Sequence, residues 1–136
     1  MNEEAIEEIR KQKLNELQES LDAAGQPDSP KEPIEIRSQT EFDSVIQSHP
    51  LVLVDFYADW CGPCQMMEPT INDIASKPGV VVAKVDVDAN QALAGAFNVR
   101  GVPTLLLFVD GQQVQQLVGM QQSDRLQQVI EQYTPV

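Results

Sequence analysis

The chain is poor in cysteine, histidine and positive charge. Its 136 residues include two cysteines and one histidine, and 9 lysines and arginines stand against 21 acidic residues for a formal net charge of −12. Two cysteines cannot build a disulfide-stapled scaffold, and a chain of this length closes a core of ordinary size without staples. Tetrahedral zinc wants four ligands. Beyond Cys61 and Cys64 the chain offers only His49, which lies ahead of an apolar run without a partner, so the ligand count argues against a metal centre. The shortage of basic residues disfavours nucleic acid and anionic membranes as partners. No apolar run approaches the roughly 20 residues of a membrane span. The opening Met1-Asn-Glu-Glu-Ala-Ile-Glu-Glu8 is acidic and lacks the apolar core of a signal peptide. These absences lead to an expectation of a cytoplasmic protein, where a dithiol would be kept largely reduced.

What the chain does have is concentrated in Trp60-Cys-Gly-Pro-Cys64, which holds both cysteines. The run Leu51-Val-Leu-Val-Asp-Phe-Tyr-Ala58 just upstream reads as a buried strand. Downstream, Met66 to Ala75 places Met67, Ile71, Ile74 and Ala75 at helical spacing. The pair therefore sits at a strand-to-helix junction with Cys61 near the helix N-terminus. Residues i and i+3 of a helix share a face, which sets Cys64 beside Cys61 at bridging distance. A thiol attacks disulfides only as its thiolate. The unpaired N–H groups and positive dipole end of a helix N-terminus lower the thiol pKa in the needed direction. Pro63 is tolerated in the first turn, where its missing N–H would bond to nothing, and Gly62 leaves the approach to Cys61 open. A Cys-x-x-Cys beside a strand–helix–strand pattern reads as a redox motif. As a structural staple it would be poor, since so short a loop constrains the unfolded chain little.

Around this motif the chain divides into three. Residues 1–24 read as a charged helical extension, with Ile6, Ile9, Leu14, Leu17 and Leu21 on one stripe and a Glu7–Lys11 pair in the favourable i,i+4 orientation, either a solvated, partly frayed helix or a stripe that docks on a partner or a second copy. Residues 25–33, Gly-Gln-Pro-Asp-Ser-Pro-Lys-Glu-Pro, read as a flexible linker. The body runs from 34 to 136. Ile34–Ile36 is a first strand, Thr40 caps a helix through Ser48, and Val80–Asp86 is a second buried strand. Leu93–Phe97 lies in a short helix. Strands Thr104–Val109 and Val114–Val118 join through Asp110-Gly111, a hairpin signal. Ser123 caps a last helix through Gln132. Strands alternating with helices, then a hairpin, predict an α/β fold: a central mixed sheet with helices on both faces.

The body resembles thioredoxin. Asp55-Phe-Tyr-Ala-Asp-Trp-Cys-Gly-Pro-Cys64 carries that family's active-site motif, Gly101-Val-Pro-Thr-Leu-Leu-Leu-Phe108 matches its second signature, and Lys84-Val-Asp-Val-Asp88 a third. Three matches in the right order over about three quarters of the chain are specific in a way that a lone Cys-x-x-Cys is not. The acidic composition and Val85-Asp-Val-Asp-Ala-Asn-Gln91 further resemble thioredoxins of salt-loving archaea, although an acidic surface alone fits any soluble protein.

The resemblance implies a protein-disulfide reductase with no bound cofactor, acting on disulfide-containing client proteins. It would be recycled by a thioredoxin reductase or equivalent donor, and it would be a monomer. Cys61 would attack and Cys64 would resolve. Asp55 and Lys84 each break an apolar run. On sequence alone Asp55 is either a strand-end carboxylate in water or a desolvated carboxyl poised to exchange a proton with Cys64. The resemblance favours the second, with Lys84 near that acid rather than facing solvent. Pro103 reads locally as an ordinary trans proline, whereas the resemblance implies a cis Val102–Pro103 bond facing the cysteines. Trp60, Gly62, Pro63, Val102, Pro103, Gly119 and Met120 would then form an apolar surface that docks a client strand by backbone hydrogen bonds. Gly119 and Met120 serve equally as a turn after the hairpin. An oxidase or isomerase on the same scaffold would be expected to carry a histidine between the cysteines, where this chain has Gly62-Pro63. A purely binding role would not need both cysteines with Asp55 and Pro103.

Overall fold

A computed structural model describes residues 10–11 and 30–134. The helical stripe expected in residues 1–24 and most of the expected linker lie outside the described residues. Within residues 30–134, five strands and four helices follow in the order β1 (Ile34–Ile36), α1 (Gln39–Ser48), β2 (Leu51–Tyr57), α2 (Gly62–Ala75), β3 (Val81–Asp86), α3 (Gln91–Ala96), β4 (Thr104–Val109), β5 (Gln112–Val118) and α4 (Ser123–Tyr133). They form one sheet of order β1-β3-β2-β4-β5. β1 and β2 run parallel to β3, while β4 is antiparallel to β2 and β5 to β4.

Alternation along the strands explains the two cores. Val52, Val54 and Phe56 of β2 join Val81, Ala83 and Val85 of β3 and Leu106 and Phe108 of β4 on one face. Phe42, Val45 and Ile46 of α1 and Leu93 and Ala94 of α3 cover them. The other parity, Leu51, Leu53, Val82, Leu105 and Leu107, meets Met67, Ile71 and Ile74 of α2 and Leu126, Val129 and Ile130 of α4. Central strands covered on both faces read as continuous apolar runs, as β2 does. Asp55 and Lys84 continue the second parity, so both belong to the face that α2 covers.

Local chemistry moves some boundaries. The cap of α1 is Ser38, whose Oγ accepts from the Glu41 N–H at 3.1 Å, and not Thr40. Ser38 offers the same acceptor two residues earlier, with an extended backbone. At α4 the cap position is Gln122 and carries no side-chain cap bond. Ser123 lies inside the first turn, where its Oγ accepts from Gln127 Nε2. β5 starts at Gln112 rather than Val114, and the register shift between Leu107 and Phe108 leaves Val114 as the extra residue of a bulge. Asp110 and Gly111 both take positive φ (50° and 83°), the geometry that a tight hairpin turn demands of an Asp-Gly pair.

Candidate active site

Strand β2 ends beside the N-terminus of α2, and the two cysteines occupy that junction. Cys61 is the cap residue of α2, with Pro63 in its first turn. Cys61 and Cys64 are joined as a disulfide with their Cα atoms 5.3 Å apart. The Cys64 N–H points at Cys61 Sγ from 3.2 Å, and the Gln65 N–H donates to the Cys61 carbonyl at 3.2 Å. The helix terminus thus aims one of its donors, the Cys64 N–H, at the sulfur that must carry negative charge after reduction. Both cysteines are buried against Ala58, with Tyr57, Val87 and Val102 packed around them.

The residues expected to dock a client surround Cys61. Trp60 is 72% exposed and is held by its Nε1–H, which donates to Asp88 Oδ2 at 2.9 Å. Gly62 and Pro63 are exposed, and a Cβ added at Gly62 would meet nothing within 4 Å, so the approach is open. The Val102–Pro103 peptide bond is cis, not the trans bond of the local reading. Cys61 Sγ lies 3.7 Å from the Val102 carbonyl oxygen. Gly119, at φ 87°, donates its N–H to the Pro103 carbonyl at 2.9 Å, which ties the segment after β5 to this loop and leaves Met120 52% exposed beside it. Pro103 itself is buried and Val102 half-buried. The exposed part of the surface is therefore Trp60, Gly62, Pro63 and Met120. Thr104 was not singled out from sequence. It is buried, and its Oγ1 donates to the Gly101 carbonyl at 2.7 Å, closing the loop from inside.

Behind the cysteines a cleft of about 260 Å³ joins Asp55 to Cys64 and is also lined by Tyr57, Ala58, Asp59, Gln65, Glu68 and Lys84. Asp55 is only 5% exposed. Burial pushes its carboxyl up to about 6; Lys84 opposes that rise, and Glu35 and Glu68 add to it. The reading of Asp55 as a strand-end carboxylate in water therefore fails. Lys84 is the register partner of Asp55 across β2 and β3, yet its Nζ pairs with Glu68 Oε1 at 3.4 Å and sits 4.5 Å from the centre of the Tyr57 ring. The Tyr57 hydroxyl donates to Glu35, and burial first, then Glu35, holds its proton more tightly than usual. Sequence reasoning missed Glu35, Tyr57 and Glu68. The one available signal was the i,i+4 spacing of Cys64 and Glu68 on α2.

His49 is buried at the other end of β2, its Nδ1 unpartnered and its pKa lowered by burial. It takes no part in the cleft. Among the described residues, no group of three or more His, Cys, Asp or Glu side chains is arranged to hold a metal ion, and no helix is long and apolar enough to cross a membrane.

Comparison with known proteins gives one consistent result. The thioredoxin family model matches residues 33–132. A thioredoxin of Chlamydia muridarum is 44% identical over 98 residues, covering 71% of this chain and 95% of its own. A bifunctional thioredoxin reductase/thioredoxin of Mycobacterium leprae is 46% identical over 88 residues, covering 63% of this chain and 19% of its own. Among solved structures, a mutant thioredoxin from the archaeon Halobacterium salinarum NRC-1 superposes with a TM-score of 0.77. It is 56% identical, and the match covers 79% of this chain and 96% of that one.

Proposed function

The chain belongs to the thioredoxin family, a protein-disulfide oxidoreductase working by dithiol–disulfide exchange at Cys61 and Cys64, and we propose the following division of labour within its site. Cys61 thiolate attacks a sulfur of a client disulfide, forming a Cys61–client bond and releasing the other client sulfur as a thiolate that takes a proton from water. Asp55 accepts the Cys64 proton through the cleft. Cys64 thiolate then attacks Cys61 Sγ, which forms the intramolecular bridge and expels the second client thiolate. Two electrons pass from the protein dithiol to the client. A separate reductase returns the bridge to the dithiol; support for such a donor comes from the Mycobacterium leprae relative, which joins a reductase and a thioredoxin in one chain.

Trp60, Gly62, Pro63, Val102, Pro103, Gly119 and Met120 hold the client strand, which gains main-chain hydrogen bonds at the loop before β4. The protein works as a monomer in the cytoplasm. Its acidic surface suits a salt-rich interior, where screening relieves self-repulsion.

The observation that carries this reading is the asymmetry of the pair: Cys64 lines the cleft that holds Asp55 and Cys61 does not, while Cys61 is flanked by the exposed Trp60 and Gly62. Single-turnover reduction of a disulfide protein such as insulin tests it. Cys61→Ser abolishes reduction, and Cys64→Ser accumulates a covalent mixed disulfide. Release of reduced client by Cys64→Ser at the parent rate overturns the assignment.

A further inference from the structure

Glu68 has no place in the exchange chemistry, yet it stands at the mouth of the cleft that the chemistry uses. It lies one helical turn after Cys64 on α2, lines the same cleft as Asp55 and Cys64, and takes the one ion pair that Lys84 makes among the described residues. Lys84 is the register partner of Asp55 and the cation best placed to neutralise it. Its ammonium nevertheless rests between the Tyr57 ring and the Glu68 carboxylate, within ion-pair distance of Glu68 and not of Asp55. The Tyr57 ring is itself fixed by the hydrogen bond of its hydroxyl to Glu35 on the edge strand β1.

We infer that Glu68 is a positioning residue for the resolving step: it draws Lys84 to the mouth of the cleft and out of ion-pair contact with Asp55, so that Asp55 stays a proton acceptor basic enough to deprotonate Cys64. The inference rests on the role proposed above for Asp55. The charged and titratable groups around that carboxyl are Lys84 from β3, Glu35 from β1, Glu68 with Cys64 from α2, and Tyr57 at the end of β2 with Asp59 just beyond it; its β4 neighbour, Leu105, is apolar. Removing the Glu68 charge acts twice in one direction. The direct repulsion is lost, and Lys84 is freed to turn toward Asp55. Both favour the ionised carboxylate and weaken it as a base. Half-exposed charges act through a high effective dielectric, so the expected size is moderate.

The test is the pH profile of the resolving step in the full chain, followed by stopped flow from the preformed mixed disulfide at low ionic strength. Glu68→Gln moves the lower inflection down by about half a pH unit and slows the plateau about twofold. Glu68→Asp, which keeps the charge, returns the inflection toward the parent value. In an Asp55→Asn background the inflection is absent and Glu68→Gln changes nothing further. A merely structural role for Glu68 would lower the urea midpoint and leave the inflection where it was. An unmoved inflection in Glu68→Gln, with the Asp55→Asn inflection gone, overturns the inference alone. An inflection that survives Asp55→Asn overturns the reading of Asp55 beneath it as well.

Discussion

Asp55→Asn should make the oxidised protein more stable at neutral pH and not at pH 4. The carboxyl is 5% exposed and rises from 3.8 to about 6 on folding, chiefly because burial penalises its charged form. A folded-state pKa above the unfolded one means that the unfolded chain ionises first. Below about pH 3.8 both states hold the proton and no penalty exists. Between there and about pH 6 the penalty grows, and above pH 6 it is fully present. A rise of about two units at roughly 1.4 kcal/mol each amounts to about 3 kcal/mol against folding at pH 7.5. Asn is nearly isosteric and never ionises. Its own cost, an extra buried donor pair, is the same at both pH values and dominates the difference at pH 4, where only about 0.5 kcal/mol of the penalty has developed. Urea denaturation of parent and variant at pH 4, 5, 6 and 7.5, with the disulfide intact, gives the difference at each point. The expected result is a gain for Asn that grows by about 2.5 kcal/mol from pH 4 to pH 7.5, with most of the growth before pH 6.5. A stability difference independent of pH would refute the reasoning, since it would mean that Asp55 titrates alike in both states.

Two further outcomes follow from the packing and the domain limits. Phe42 of α1 is fully buried, its ring 5.2 Å from that of Phe97 and 5.7 Å from that of Phe108, so Phe42→Ala should cost about 3–5 kcal/mol in urea denaturation; a loss under about 1 kcal/mol would contradict the packing. Deleting residues 1–33 should leave insulin reduction at the parent rate, because β1 begins at Ile34 and the family match at residue 33. A large loss of activity would place the extension in the site or in client capture.

Legibility in the sequence followed the physics of each element. β2 and α2 were readable because both are patterned strongly: a continuous apolar strand broken once, then apolar residues at helical spacing. The hairpin was readable because Asp110-Gly111 tolerates the positive φ values it must adopt. Caps were harder, since Ser38 and Thr40 carry equivalent hydroxyls and only backbone conformation decides which one accepts. The start of β5 was hidden by Gln112 and Gln113, which pair through main-chain hydrogen bonds that say nothing of side-chain type. Asp55 and Lys84 stood out as charges inside apolar runs, yet nothing local told whether Asp55 met water or protein. That depends on α2 closing over the strand. Glu68 carried only its spacing from Cys64 as a signal, for the opposite reason. A half-exposed glutamate on a helix looks like any solvated residue until Lys84, sixteen residues later, is brought against it by the crossover to β3.

The central claim is that Cys61 and Cys64 form a reducing couple, and its equilibrium reduction potential against a glutathione or dithiothreitol buffer tests that most directly. Without histidine between the cysteines the pair should lie near or below roughly −250 mV, at both high and low salt. A value above roughly −200 mV would contradict the account, since the couple would then oxidise or isomerise its clients and the exchange would run in reverse.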